Sequence, residues 1–267
     1  MATGNGLLKL LTENAWLLRQ DKLEVLRDIA LGYANGQFKG MSFERDDNSD
    51  YSSVTIDGQV AVMNIEGILV NKASYLDAMC GFASTSGLRE DFNALVANPK
   101  IKRIVMKFAS PGGSVTGIQE LAEDIYQARG QKEIVGFCDD MSCSASYWLM
   151  SACEQIVCEP SSEIANIGTY IMLQKKGEQA NGSKVYIIQA GTKKTYGSPD
   201  LPVSEAELEY FQTQVNQVNE RFLSSVARNR NVSTDEVRDL QGAFFAAQDS
   251  PKWLYDYIGN FNMALNG

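Results

Sequence analysis

Ile104-Val-Met-Lys-Phe-Ala-Ser-Pro-Gly-Gly-Ser114 is the stretch on which the fold turns. Ile104–Phe108 is an apolar run with β-branched members, which predicts a strand. Ala109-Ser110-Pro111-Gly112-Gly113-Ser114 then reads as a tight turn. A helix follows, with Ile118, Leu121, Ala122 and Ile125 on one face and Gly130 to end it. Strand, glycine turn and helix in succession make up the unit of a parallel α/β domain. Two glycines allow positive φ and the close approach of a second backbone. A turn at a helix N-terminus also leaves N–H groups without intrahelical acceptors, and such donors can hold an oxyanion. A plain strand-to-helix turn would use the same residues, so this element alone speaks to fold and not to chemistry.

The same alternation continues outward in both directions. Val60–Ile65 predicts a strand, and Ser86 caps a helix carrying Leu88, Phe92, Leu95 and Val96. Downstream come a strand at Ile134–Phe137, a short helix from about Ser144 to Ala152, and a strand at Ile156–Cys158. Further strands are expected near Ile167–Met172 and Val185–Ile188. A long helix starts at Ser204 and runs to about Arg228. Ser204 with Glu207, and Ser233 with Glu236, have the spacing of capping boxes. The fold class is therefore α/β with much parallel pairing. Ahead of this core, residues 1–35 have helical apolar spacing through Leu7, Leu8, Leu11, Leu18, Leu26 and Ile29. The expected organisation is an amphipathic helical extension over 1–36, a polar linker over 37–58 and the main domain over 59–267.

Composition narrows the classes. A chain of 267 residues can bury a large core. A net charge of −9 gives no electrostatic footprint for nucleic acid or an anionic membrane. No apolar stretch is long enough to span a bilayer. Lys9, Glu13, Arg19 and Asp21 interrupt any secretory core at the N-terminus. The five cysteines, Cys80, Cys138, Cys143, Cys153 and Cys158, are odd in number and lack a CxxC pair. They predict neither a disulfide framework nor a zinc site, and point to a reducing cytoplasm. No cofactor and no metal are expected.

The chain has no histidine. A serine nucleophile would then need lysine or a carboxylate as its base. Asp139-Asp140-Met141-Ser142-Cys143-Ser144-Ala145-Ser146-Tyr147-Trp148 lies between a predicted strand and a predicted helix, where a hydroxyl can be presented at a helix tip. Three serines compete for that role, and an ordinary N-cap serine would look the same. Gly191-Thr192-Lys193-Lys194-Thr195 follows some fifty residues on. At an ordinary pKa near 10.4, only about one lysine in two thousand is neutral at pH 7. A lysine base therefore has to lie in an apolar pocket against its nucleophile. The default for any lysine pair is a solvated turn.

Taken in order, these elements resemble the signal peptide peptidase A family of serine peptidases, which includes the capsid-assembly proteases of tailed phages. The resemblance covers about residues 58–260. It rests on strand–Ser110-Pro-Gly-Gly113–helix, on Ser144-Ala-Ser-Tyr-Trp148 preceded by Asp140-Met141, on Gly191-Thr-Lys-Lys194, and on Gly242-Ala-Phe-Phe-Ala246. It implies a Clp-protease/crotonase-like superhelical core of repeated β-β-α units. It implies Ser144 as nucleophile and Lys194 as general base, with Lys193 as competitor. The N–H groups of Gly113 and Ala145 would form the oxyanion hole. Where the family has Gly-Ser-Ile-Gly, this chain has Ala165-Asn166-Ile167-Gly168, so Asn166 would orient the lysine in place of a serine. Members assemble into rings, and in some the serine and lysine come from different subunits.

The expected function is a Ser-Lys endopeptidase that trims scaffold or capsid proteins during phage head maturation, in the host cytoplasm or inside the prohead. The expected partners are a protein or peptide substrate and further copies of the chain in a ring, with no nucleic acid and no membrane. Three other readings share the motifs: a bacterial cytoplasmic signal-peptide-peptidase-like protease, an inactive assembly protein of the same fold, and a crotonase-type acyl-CoA enzyme. The last does not explain the Ser144 and Lys194 arrangement.

Overall fold

The computed structural model describes residues 16–18, 53–73, 81–173 and 187–267. Twelve strands are found among them: β1 (Trp16–Leu18), β2 (Val54–Asp57), β3 (Val60–Glu66), β4 (Ile68–Val70), β5 (Phe82–Ser84), β6 (Arg103–Ser110), β7 (Gly112–Ser114), β8 (Glu133–Cys143), β9 (Gln155–Cys158), β10 (Glu163–Ala165), β11 (Phe244–Ala246) and β12 (Tyr257–Ile258). The α-helices are α1 (Thr85–Ala97), α2 (Ile118–Gln127), α3 (Ala145–Ser151), α4 (Glu205–Arg230), α5 (Thr234–Arg238) and α6 (Phe261–Asn266).

The larger sheet runs β11-β10-β8-β6-β3-β2, with β9 and β12 added beside the first half of β8. The β3, β6, β8 and β9 contacts are all parallel. The smaller sheet is β1-β7-β4-β5. Parallel strands need helical crossovers, and buried faces on both sides make their sequences continuously apolar. In β6, Ile104, Met106 and Phe108 face the main core with α1, α2 and α3, while Val105 faces Phe137, Val157 and Ala264 under α6.

Most of the expected elements are present, and Ile118, Leu121, Ala122 and Ile125 are the buried face of α2. Several departures have local causes. Ser84, not Ser86, caps α1, its hydroxyl accepting from the Gly87 N–H at 3.2 Å. Gly112–Ser114 is a strand rather than a turn. A Cβ on Gly113 would sit 1.9 Å from the Leu69 carbonyl oxygen, so only glycine lets β7 pair with β4 there.

No strand forms at Ile167–Met172. The chain leaves the sheet after β10, where Ala165 and Asn166 take φ of 84° and 54°. Ile187 and Ile188 are not in a strand either; Val185 lies outside the described residues.

Ser204 caps α4, but Glu207 does not close the box. Its carboxylate accepts from the Gly197 N–H at 2.7 Å. Ser233 and Glu236 do form the full reciprocal cap.

Within the stretch read as an N-terminal helix, Trp16–Leu18 is a strand, paired antiparallel with β7. An open sheet edge supplies backbone partners there that amphipathic spacing cannot anticipate. Likewise, Val54–Asp57 at the end of the expected linker is a strand on β3. The rest of residues 1–52 lies outside the described residues. Among the described residues, no helix is long and apolar enough to cross a membrane.

Candidate active site

β8 supplies the central junction. Its first half pairs with β9, and Met141–Cys143 pair with β10. It ends at Ser144, which takes φ 55° and ψ −118° before α3 begins at Ala145. A positive φ at a residue other than glycine costs about 1–3 kcal/mol, so the surroundings must hold it. They do so from both sides. The Ser144 N–H donates to the Ala165 carbonyl at 2.7 Å, and the Ser144 carbonyl accepts from the Trp148 N–H at 2.9 Å.

This geometry separates the three competing serines. The Ser142 and Ser146 hydroxyls bond each other at 2.9 Å. Ser144 is 1 % exposed, and its hydroxyl has no hydrogen-bond partner among the described residues. Ala145 is the first residue of α3, so its N–H has no carbonyl four positions back within the helix. Such a donor lies beside the hydroxyl and carries the positive end of the helix dipole.

Gly113 lies close by. Ser110, just before β7, pairs in register with Ser142, and α3 packs against β7. The Ser110 hydroxyl accepts the Gly112 N–H at 3.2 Å, which fixes the turn into β7. Asn166 sits one residue past the Ala165 carbonyl that holds Ser144. Its side-chain amide donates to Gly242 at 2.6 Å, and its own N–H to Ala243 at 2.8 Å. Among the described residues its side-chain oxygen has no partner, so that atom can still accept.

The lysines are placed differently. Thr192–Thr195 form a 3₁₀ turn with both Lys193 and Lys194 exposed. Lys193 Nζ lies 5.0 Å from the Tyr210 ring centre, Tyr196 packs edge-on against that ring, and Gly197 is tied to Glu207. The turn therefore rides on the first turns of α4. Among the described residues, Lys194 makes no bond to Ser144. The single chain thus gathers Ser144, Ala145, Gly113 and Asn166, and leaves Lys194 outside that group.

The support around the junction was not evident from sequence. Trp148 stacks flat on Phe222 of α4 with centroids 4.6 Å apart. The Tyr147 hydroxyl donates to the Leu254 carbonyl at 2.9 Å. Arg129 donates to the carbonyls of Ser151, Ala152 and Cys153 at 3.0, 2.9 and 2.7 Å, closing the C-terminal end of α3. Burial pulls the Arg129 pKa below its ordinary value. Gly136 admits α3 against β8, since a Cβ there would meet Met150 at 3.0 Å and Cys153 at 3.2 Å. Cys138, Cys143, Cys153 and Cys158 are buried, and none of them is in a disulfide among the described residues. Burial pushes Cys153 and Cys158 up to about 12 and raises Cys138 as well. They are inert thiols and not nucleophiles.

The chain matches the model of peptidase family S49 over residues 127–266. It is 26% identical over 191 residues to the head-tail preconnector protein GP5 of Enterobacteria phage P21, covering 71% of this chain and 38% of that protein. It is 23% identical over 193 residues to capsid assembly protease C of Escherichia phage lambda, covering 72% and 44%. It is 25% identical over 222 residues to protease 4 of Haemophilus influenzae, covering 79% and 34%. The chain spans less than half the length of each of these relatives.

Proposed function

The chain belongs to peptidase family S49, and on that premise we propose that Ser144 is the nucleophile of a serine endopeptidase whose base is Lys194 of a neighbouring subunit. The observation that carries this reading is the junction itself. One hydroxyl, at a buried elbow between β8 and α3, is left uncommitted while its two rivals bond each other. The exposed place of Lys194 on the α4 arm supports a base delivered between copies. On insertion beside Ser144, the amine would lose its water. Desolvation lowers a lysine pKa toward the range where a neutral base is populated.

In the reaction, the neutral Lys194 amine takes the Ser144 proton as Oγ attacks a peptide carbonyl. The N–H groups of Ala145 and Gly113 receive the oxyanion, and Lys194 then protonates the leaving amine. Water hydrolyses the acyl-enzyme by the same steps. The free Asn166 side-chain oxygen accepts from the lysine and aims it.

The core is assigned to the Clp-protease/crotonase type. Three successive parallel strands, β3, β6 and β8, each lead into a helix, and β3 and β6 do so through short strands of the second sheet. The unit spans residues 59–267, with β2 joining it from the preceding segment. A dyad shared between copies is consistent with a closed ring, the assembly proposed here. The names of the phage relatives support scaffold or capsid protein as substrate, and head assembly in the host cell as the setting.

A mixing experiment tests the reading. Ser144→Ala and Lys194→Ala should each abolish cleavage of a co-expressed scaffold or coat protein. Reassembled at equal ratio, they should recover about a quarter of wild-type activity, since each contact draws its serine and lysine from separate copies. Undiminished cleavage by Ser144→Ala sinks the assignment. A silent mixture overturns the shared dyad and places Lys194 with Ser144 in the same subunit. Absence of Ser144 labelling by a fluorophosphonate up to about pH 9, where a lysine base is neutral enough to act, would favour an inactive assembly protein.

A further inference from the structure

β7 carries the Gly113 backbone against α3, and both of its edges are occupied. On one side Gly113 pairs with Leu69 of β4. On the other lies β1, antiparallel, with Trp16 opposite Ser114, Leu17 opposite Gly113 and Leu18 opposite Gly112. β1 is the end strand of its sheet. No hairpin joins the two strands, which are distant in sequence, so no turn dictates the pairing. It is an addition of an extended segment to an open edge, the same backbone chemistry by which sheet edges capture peptides.

The position of that edge matters. The residue opposite Leu17 is Gly113, and the helix packed on β7 begins immediately after Ser144. A peptide reaching Ser144 along β7 would need the same backbone groups that Trp16–Leu18 now engage. We infer that Trp16–Leu18 is a built-in occupant of the peptide-binding edge, holding the site closed to extended apolar peptide segments of its own kind. The inference rests on the peptidase reading in one respect, that β7 is the edge a substrate uses. Tethering gives the segment an effective concentration in the millimolar range, so a free peptide of equal intrinsic affinity is outcompeted until the segment is displaced or cut away.

Adjacent prolines at 17 and 18 test this. Successive strand residues point their N–H groups to opposite sides, so the pair removes the donor facing β7 whichever residue carries it. The probe is a fluorescent peptide of residues 13–21, read by anisotropy on the full chain carrying Ser144→Ala, with and without Leu17→Pro and Leu18→Pro. If the closed form dominates by about ten to one, opening it should tighten binding about tenfold. Leu17→Gly with Leu18→Gly keeps every N–H and loosens the strand by backbone entropy. It should give a smaller gain in the same direction, and it serves if the proline chain fails to fold.

Equal binding to closed and opened chains overturns the inference, as does binding to neither. Because the readout is made without the Ser144 hydroxyl, it stands apart from activity. A gain in binding, where the chain that retains Ser144 cleaves nothing, keeps the occupied edge and discards the peptidase chemistry. Cleavage without any gain does the reverse.

Discussion

The Ser144 junction and the Lys193-Lys194 turn are built by opposite means. Every residue of α3 is buried, the elbow is bonded through its N–H and its carbonyl, and a cation closes the far end of the helix. The lysine turn has exposed side chains and is held by one ring, one carboxylate and its own backbone. α4 links the two. It is 26 residues long, about 39 Å, and after Glu207 its next buried residue is Phe222. About 22 Å of helix axis separates the end that carries the lysine turn from the end that stacks on Trp148. Under the proposed assignment, the difference is that the nucleophile is set by the interior of one chain, whereas its base waits on an arm for an environment that an assembly would supply.

The sharpest way to break that contrast is at the two lysines. Lys194→Ala should lower the cleavage rate by about two to four orders of magnitude, the usual worth of a positioned general base. Lys193→Ala, which removes only the contact to Tyr210, should change it little. Single-turnover kinetics on a purified scaffold fragment distinguish them, and an equal loss in both would erase the assignment of Lys194 over its neighbour.

On the other side of the comparison, Phe222→Ala removes the partner of Trp148 and should cost about 3–5 kcal/mol, seen as a lower urea midpoint with an unchanged slope. A loss below 1 kcal/mol would mean that the junction does not lean on the arm.

The smallest expected effect is alkaline. Folded Cys153 and Cys158 keep their protons to about 12, whereas unfolded thiols release them near the ordinary value of 9.0. Between these values the unfolded chain binds fewer protons, so stability is full below pH 9 and declines as pH rises toward 12. At pH 10 each thiol should cost about 1 kcal/mol. Urea titrations of Cys153→Ala and Cys158→Ala should show that slope reduced.

Much of the architecture was legible because its signals are local. The buried face of α2, the run of β6 and the caps at Ser204 and Ser233 are written in residues that touch each other. So was the strand-to-helix junction at Ser144. What escaped depends on distant partners. Trp16–Leu18 has helical spacing, yet becomes a strand because an edge far along the chain accepts it. The Gly112-Gly113 pair reads as a turn, yet pairs because the missing Cβ admits Leu69. Glu207 has the spacing of a capping box, yet turns to Gly197. Only the family resemblance singled out Ser144 among the three serines, because a bond between Ser142 and Ser146 leaves no mark in composition. The place of Lys194 is set by α4, whose first half carries little apolar pattern to announce where it points.

Arg129 reaches further than the end of one helix. The same guanidinium that holds the carbonyls after α3 also donates to the Asn229 carbonyl near the close of α4, at 3.3 Å. Together with the Trp148 and Phe222 rings, it ties the short helix to α4 at two places, its middle and its C-terminal end. A tug on the outer tip of α4 by an adjoining copy would be transmitted straight to the elbow. If copies of the chain assemble as proposed, closing the assembly and tensioning the Ser144 elbow would be one mechanical act.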